Sequence, residues 1–326
     1  MIVAWRRKAQ PCAGRAAGAV RSAAHDRPTF QGPVPAPPCF AARRVAPLCP
    51  LLVPFDCRSV PEAVSMSTLT NSLKQRLRDG DEPLYGLWLS LGSDSAAEAL
   101  AHAGYDWLCI DMEHAPNDSR DVASQLRAIA AAHLPSEPVV RVPAREPWLV
   151  KRALDAGART LMFPGIETPD DAAHAVRLTR YPSPDSPDGL RGVAGMVRAA
   201  AFGMRRDYVQ TANAQVAVIV QIESARGVDE VERIAALPGI DCLFVGPADL
   251  AASLGHLGDI RHPDVETAMA RVLAAGRQAG VAVGIFAGDT AAARQYREAG
   301  YRMITVSADV SWLLRATRQA LQEVRS

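Results

Sequence analysis

The chain has 326 residues, a formal net charge of +1 and 48% hydrophobic residues. That near-neutral balance gives no pull toward nucleic acid or an anionic membrane surface. No apolar run reaches the roughly 18 residues a bilayer-spanning helix needs, and the length suits one large or two ordinary domains.

The first 65 residues differ from the rest. They hold nine Arg/Lys against three Asp/Glu, ten of the 24 prolines and four of the six cysteines. They show no sustained helical or strand periodicity, and Pro33-Val34-Pro35-Ala36-Pro37-Pro38 reads as disordered or extended chain. Three readings compete for this segment: an Arg-rich targeting peptide, a flexible arm, or an upstream stretch translated in error ahead of a true start at Met66. The last is preferred, with residues 66–326 as the folded part. Cys12, Cys39, Cys49 and Cys57 form no C-x-x-C pair, and Cys109 and Cys242 fall inside apolar runs. Buried thiols of this kind behave as small hydrophobes, and a reducing cytoplasm is the simplest setting.

From Leu84 the pattern alternates. Strands are expected at 84–90, 106–112, 138–142, 160–163, 216–222, 242–245, 281–286 and 303–306. Helices are expected at 95–103, 120–132, 147–156 and 169–179, in the later gaps, and at 310–323. Gly104, Gly157, Gly280 and Gly300 punctuate helix ends, where a left-handed residue closes a helix. Residues 181–213 are a longer insertion with a Pro/Ser/Asp/Gly loop and a short helical piece. Eight β-α units in about 240 residues fit an α/β (β/α)8 barrel. A doubly wound sheet is the alternative, but no G-x-G-x-x-G follows a strand and no G-x-x-x-x-G-K is present.

Barrel chemistry sits just past the strands' C-terminal ends. Val218–Glu223 and Leu243–Leu250 are apolar runs that end on carboxylates. Glu223 and Asp249 at matched positions would converge on one hard divalent cation, with water and substrate oxygens completing its shell. The alternative is that each caps the helix that follows. His114 follows Asp111 and Glu113 at the end of the second strand, placed either as a general base or as a surface-loop histidine. Arg141 ends the third strand. Its fork suits a carboxylate, a carbonyl or a developing enolate oxygen, or else a rim salt bridge. Gly246-Pro247-Ala248-Asp249 opens a helix whose free N–H groups can hold a substrate carboxylate. Imine chemistry is disfavoured because the only lysines are Lys8, Lys74 and Lys151, the first two ahead of the first strand and the third in an outer helix.

Five stretches then resemble a known family in order along residues 68–326: Gly86-Leu87-Trp88-Leu89-Ser90, Ile110 to Asp118, Val139-Val140-Arg141, Gln221-Ile222-Glu223, and Val245 to Leu250. They are similar to the HpcH/HpaI aldolases, the 4-hydroxy-2-oxoheptanedioate and 2-keto-3-deoxy sugar acid aldolase type. The resemblance implies a class II pyruvate aldolase that uses Mg2+, Mn2+ or Co2+ and assembles as a homohexamer. It implies metal ligands Glu223 and Asp249, and Arg141 at the enolate oxygen. His114 would act as base paired with Asp155. Trp88, Gln221, Gly246, Ala248 and Asp249 would lie around the substrate, pyruvate plus an aldehyde. Citryl or malyl thioester cleavage, or oxaloacetate decarboxylation, is the alternative on the same barrel. A nucleic-acid-binding basic arm has only the nine basic residues of 1–65 in its favour. Two departures stand out: Gly165 occupies a position where many relatives carry methionine, and the loop Tyr181–Arg191 contains extra Ser, Pro and Asp; both are candidates to line the aldehyde pocket and leave the aldehyde partner open.

Overall fold

A computed structural model describes residues 70–326; the reading of residues 1–65 as an extension lies outside the described residues. The eight predicted strands all form, and each is short, apolar and fully or almost fully buried. They are β1 (Leu84–Leu89), β2 (Trp107–Asp111), β3 (Glu137–Arg141), β4 (Thr160–Phe163), β5 (Ala217–Ile222), β6 (Cys242–Val245), β7 (Ala282–Ala287) and β8 (Met303–Ala308). Every neighbouring pair is parallel, and β8 pairs back onto β1, so the sheet closes into a barrel. Parallel strands covered by helices on the outside need apolar residues on both faces, which explains the continuous Val/Ile/Leu runs.

Twelve α-helices are described: α1 (Ser72–Asp79), α2 (Asp94–Ala101), α3 (Ser119–Ala131), α4 (Pro147–Asp155), α5 (Pro169–Thr179), α6 (Tyr208–Gln215), α7 (Ala225–Asp229), α8 (Val231–Ala235), α9 (Pro247–Ser253), α10 (Pro263–Ala279), α11 (Thr290–Ala299) and α12 (Asp309–Arg325). Four begin with proline in the first turn, where its missing N–H costs nothing. Asp118 and Thr168 build capping boxes ahead of α3 and α5. Gly280 and Gly300 close α10 and α11 in the left-handed conformation. The insertion contains a 3-10 turn at Arg198–Gly203 and then α6, and its inner side packs Tyr181 against Tyr208.

α1 has no counterpart in the sequence reading. It closes the barrel end where the strands begin. Asn71 is fully buried; it caps α1, and its amide donates to Arg159 O, Thr160 Oγ1 and Gln215 O. Lys74 reaches Val216 O at 2.8 Å and Asp241 at 3.1 Å. Inside the barrel Leu73 and Leu77 of α1 stack below Trp107, Met162, Ile219, Phe244 and Met303. This plug leaves the other end, where the strands finish, as the place for chemistry. The last helix, α12, touches chiefly β1 and β8 and carries Leu313, Leu314, Leu321 and Val324 exposed on its surface.

Candidate active site

The strand ends converge on a cavity of about 260 Å³ lined by Trp88, Arg141, Gln221, Phe244, Asp249 and Phe286, among others. Arg141 is its most tightly built member. Its Nε and Nη2 donate to the two oxygens of Asp111 at 2.8 and 2.7 Å, and Nη1 lies 2.7 Å from Glu113 Oε2. Asp111 and the Arg141 side chain are both buried, and the guanidinium carbon stands 5.2 Å from the Trp88 ring centroid. Burial opposes the Arg141 charge, but Asp111 outweighs it and holds the Arg141 pKa above its ordinary value. A guanidinium has five N–H donors; two are bonded to Asp111, and the Glu113 contact is an ion pair that leaves Glu113 Oε2 without a hydrogen bond, so three donors remain for a ligand in the cavity Arg141 lines. The rim salt bridge and the inward-facing reading of Arg141 are thus both realised: the pair is real, buried, and at the cavity wall.

Glu223 sits just past β5. Its Oε1 accepts from Gly165 N at 2.7 Å and its Oε2 from Gln221 Nε2 at 3.1 Å. Burial, with Glu113 and Asp249 adding negative charge nearby, pushes the Glu223 carboxyl up to about 7 despite the Gly165 N–H and Arg141. Glu113 is also raised, mainly by burial. A cluster of carboxylates that cannot all ionise comfortably is what a cation relieves. Gly246 adds a second sign: a Cβ there would fall 2.7 Å from Glu223 Oε2, so only glycine lets the carboxylate lie in this cradle. Gln221 Oε1 is buried with no hydrogen-bond partner. All-oxygen donors of this kind fit a hard divalent ion held by Glu223 and Asp249. Among the described residues, the one His/Asp triplet with ligand atoms all within 4.8 Å of one another lies elsewhere, at His256, His262 and Asp264. Glu223 and Asp249 therefore offer a two-carboxylate set, with room for water or substrate oxygens. Neither side chain caps the helix after it: Ser224 caps α7, and Asp249 lies inside the first turn of α9.

His114 lines the cavity but is 68% exposed, with Nε2 4.0 Å from Glu113 Oε2. The pairing with Asp155 does not form within the chain. Asp155 is the last residue of α4, which runs back toward the strands' starting ends, and there it accepts from Arg191 at 3.4 Å. Arg191 is fully buried between the Tyr181 and Tyr208 rings, and Asp155 is its counter-charge. Trp88, Gln221, Gly246, Ala248 and Asp249 all border the cavity. Left unassigned by the sequence were Asp111, which fixes Arg141, and Ser90, Phe286 and Ala308, which complete the wall. Their signal was only their position at strand ends. A second cavity of about 640 Å³ adjoins Glu113 and Glu223 and is walled by Pro143–Glu146, Pro164, Gly165, Asp170, Asp171 and His174.

An eight-stranded parallel barrel with carboxylates, an arginine and a histidine at the end where its strands finish has the layout of an enzyme site. The family profile described as HpcH/HpaI aldolase/citrate lyase matches residues 84–316. A hydroxypyruvate/pyruvate aldolase of Paraburkholderia phytofirmans is 76% identical over 261 residues, 80% of this chain and all of that protein. A 5-keto-4-deoxy-D-glucarate aldolase of Salmonella paratyphi C is 45% identical, covering 73% of this chain and 90% of its own. The crystal structure of an HpcH/HpaI aldolase/citrate lyase family protein from Burkholderia cenocepacia J2315 is 96% identical and superposes with a TM-score of 0.78, covering 79% of this chain and 100% of that one. The chain belongs to the HpcH/HpaI aldolase/citrate lyase family and is a carbon–carbon lyase.

Proposed function

We propose that the chain is a class II pyruvate aldolase, cleaving a 4-hydroxy-2-oxo acid reversibly to pyruvate and an aldehyde. The observation that carries this reading is the buried Arg141, clamped by Asp111 at a cavity shared with Gln221, Gly246 and Asp249. A permanently charged fork with three N–H groups not bonded to Asp111, beside carboxylates that suit a cation, is built for charge that appears on oxygen. The hydroxypyruvate/pyruvate aldolase at 76% identity supports the same donor half-reaction.

A Mg2+, Mn2+ or Co2+ ion held by Glu223 and Asp249 would supply Lewis-acid stabilisation of the developing enolate oxygen. Arg141 donates to that oxygen. N–H groups at the start of α9, at Ala248 and Asp249, hold the substrate carboxylate, and Trp88 and Phe244 form an apolar part of the same wall. In cleavage, His114 takes the proton of the 4-hydroxyl. The C3–C4 electrons move to C2 and its oxygen as the aldehyde leaves, and a proton then returns to C3 to give pyruvate. Within one chain the carboxylate in ion-pair range of His114 is that of Glu113, at 4.0 Å. Assembly as a homohexamer belongs to the same proposal; the exposed Leu313, Leu314, Leu321 and Val324 of α12 support burial against other copies. Free, buried Cys109 and Cys242 fit a reducing cytoplasm.

Exchange of the pyruvate methyl protons in D2O, followed by NMR with Mn2+ or Mg2+ and then with EDTA, tests the donor half without an aldehyde. Metal-dependent exchange is expected. Folded, metal-loaded protein that exchanges nothing would refute the reading.

A further inference from the structure

Gly165 gives the Glu223 carboxylate its shortest hydrogen bond, yet the loop that presents this N–H is itself unusual. Gly165 has φ +61°, a left-handed conformation, between the end of β4 and the start of α5. Its neighbour Ile166 is tied by one long bond, N to Gln221 O at 3.3 Å. The carbonyls on either side of Gly165 turn toward Arg145. Arg145 Nη1 donates to Gly165 O at 2.9 Å and reaches Pro164 O at 3.4 Å, and Nη2 donates to Asp171 Oδ1 at 3.0 Å. Among the described residues no other group donates to either carbonyl. Asp171 is fixed in turn by the capping box of α5, where Thr168 N and Oγ1 donate to its Oδ2 at 3.0 and 2.8 Å.

Pro164 O and Gly165 N belong to one peptide unit. A cation at the oxygen polarises the N–H on the other side and strengthens the bond that N–H makes. The contacts therefore run without a break from Asp171 through Arg145 and the Pro164–Gly165 peptide to Glu223 Oε1. We propose that Arg145 is a positioning residue for the metal centre: by holding this peptide it fixes the Glu223 carboxylate in the orientation that binds the cation. The proposal rests on the reading of Glu223 as a ligand. In this chain the peptide's C-terminal residue, Gly165, sits at φ +61°, where a side chain would be strained whatever space surrounds it.

Outer partners of metal ligands change affinity by about 10–100-fold when removed. The test is Mn2+ titration followed by EPR, without substrate, on wild type and on the R145A, R145K, E223Q and E298Q variants, with thermal melting alongside. R145A is expected to weaken Mn2+ binding by about 10–100-fold. R145K should recover part of the loss, because an ammonium bonds one carbonyl but cannot fork. E298Q, an exposed change on α11, should bind like wild type. If R145A does not fold, R145K carries the expectation alone. A wild type that binds no Mn2+, or an E223Q that binds as tightly as wild type, refutes the metal reading. A wild type that binds, with a folded R145A that binds as tightly, overturns the role of Arg145 alone.

Discussion

Arg141 and Asp111 allow stability and chemistry to be separated by two substitutions. Arg141→Met keeps most of the side-chain volume and removes the charge. It strands Asp111, 1% exposed, without its two hydrogen bonds at 2.8 and 2.7 Å. Breaking a buried pair from one side costs about 3–5 kcal/mol. For a barrel of this size that is a fall in Tm on the order of 10 °C. Adding Asp111→Asn removes the stranded charge and keeps an oxygen for the Glu113 N–H, now bonded at 3.0 Å. The double variant should therefore regain most of the lost Tm. Exchange of the pyruvate methyl protons should not return with it. Loss of one charged donor at a developing oxyanion costs roughly 10²–10³ in rate, and neither variant supplies that donor. Calorimetry and D2O exchange on the same samples decide the matter. A double variant as unstable as the single one would refute the electrostatic account of the pair. A folded Arg141→Met protein exchanging at the wild-type rate would refute the enolate role.

Other expectations follow from the same contacts. Glu223→Gln and Asp249→Asn should each abolish metal-dependent exchange while circular dichroism stays that of the intact barrel. In EDTA, the Glu223 carboxyl, raised from 4.5 to about 7, makes the folded state hold a proton that the unfolded chain has released. Its contribution to stability is therefore full below about pH 4.5 and lost as pH rises through about 7; melting curves of wild type against Glu223→Gln across that range read it out. Cation binding should displace that proton, so Mn2+ affinity falls as pH drops below about 7, measurable by EPR. Asn71→Ala removes three buried amide bonds at the closed end of the barrel and the cap of α1. It should cost on the order of 2–4 kcal/mol in denaturant unfolding and leave the pyruvate exchange rate of the folded protein unchanged.

The strands were legible because burial on two faces writes an unbroken apolar run into the sequence; β4 and β6 fall at the residues the pattern marks, and the others within one or two positions. α1 was not legible. Its eight residues carry mean polarity and only two buried leucines, Leu73 and Leu77, and its place is fixed by what Asn71 meets far along the chain. The strand-end rule found Glu223, Arg141 and Asp249, since a polar residue after a buried strand has few places to go. It did not single out Asp111 as the clamp of Arg141. The register that sets Asp111 beside Arg141 is a property of the β2–β3 pairing and not of either segment alone. The Gly165 N–H was invisible for a different reason: a backbone donor leaves no residue type to read.

Asp155 marks the limit of carrying a residue across by motif. A helix that follows a strand in a barrel starts at the end where the strand finishes and ends where the next strand begins. Residues early in α4 and in the loop before it, such as Arg145, thus face the site, while its last residue cannot. Asp155 closes α4 and neutralises Arg191, whose side chain is wholly buried between two tyrosine rings. His114 stands beyond β2, at the end of the barrel where the strands finish, and no hydrogen bond or ion pair joins it to Asp155. In the proposed homohexamer, an Asp155 carboxylate would come to His114 from a second chain. The exposed and half-held His114 is then the feature of the isolated chain that assembly would change most, and the proton-transfer step is where an assembled and a dissociated protein should differ.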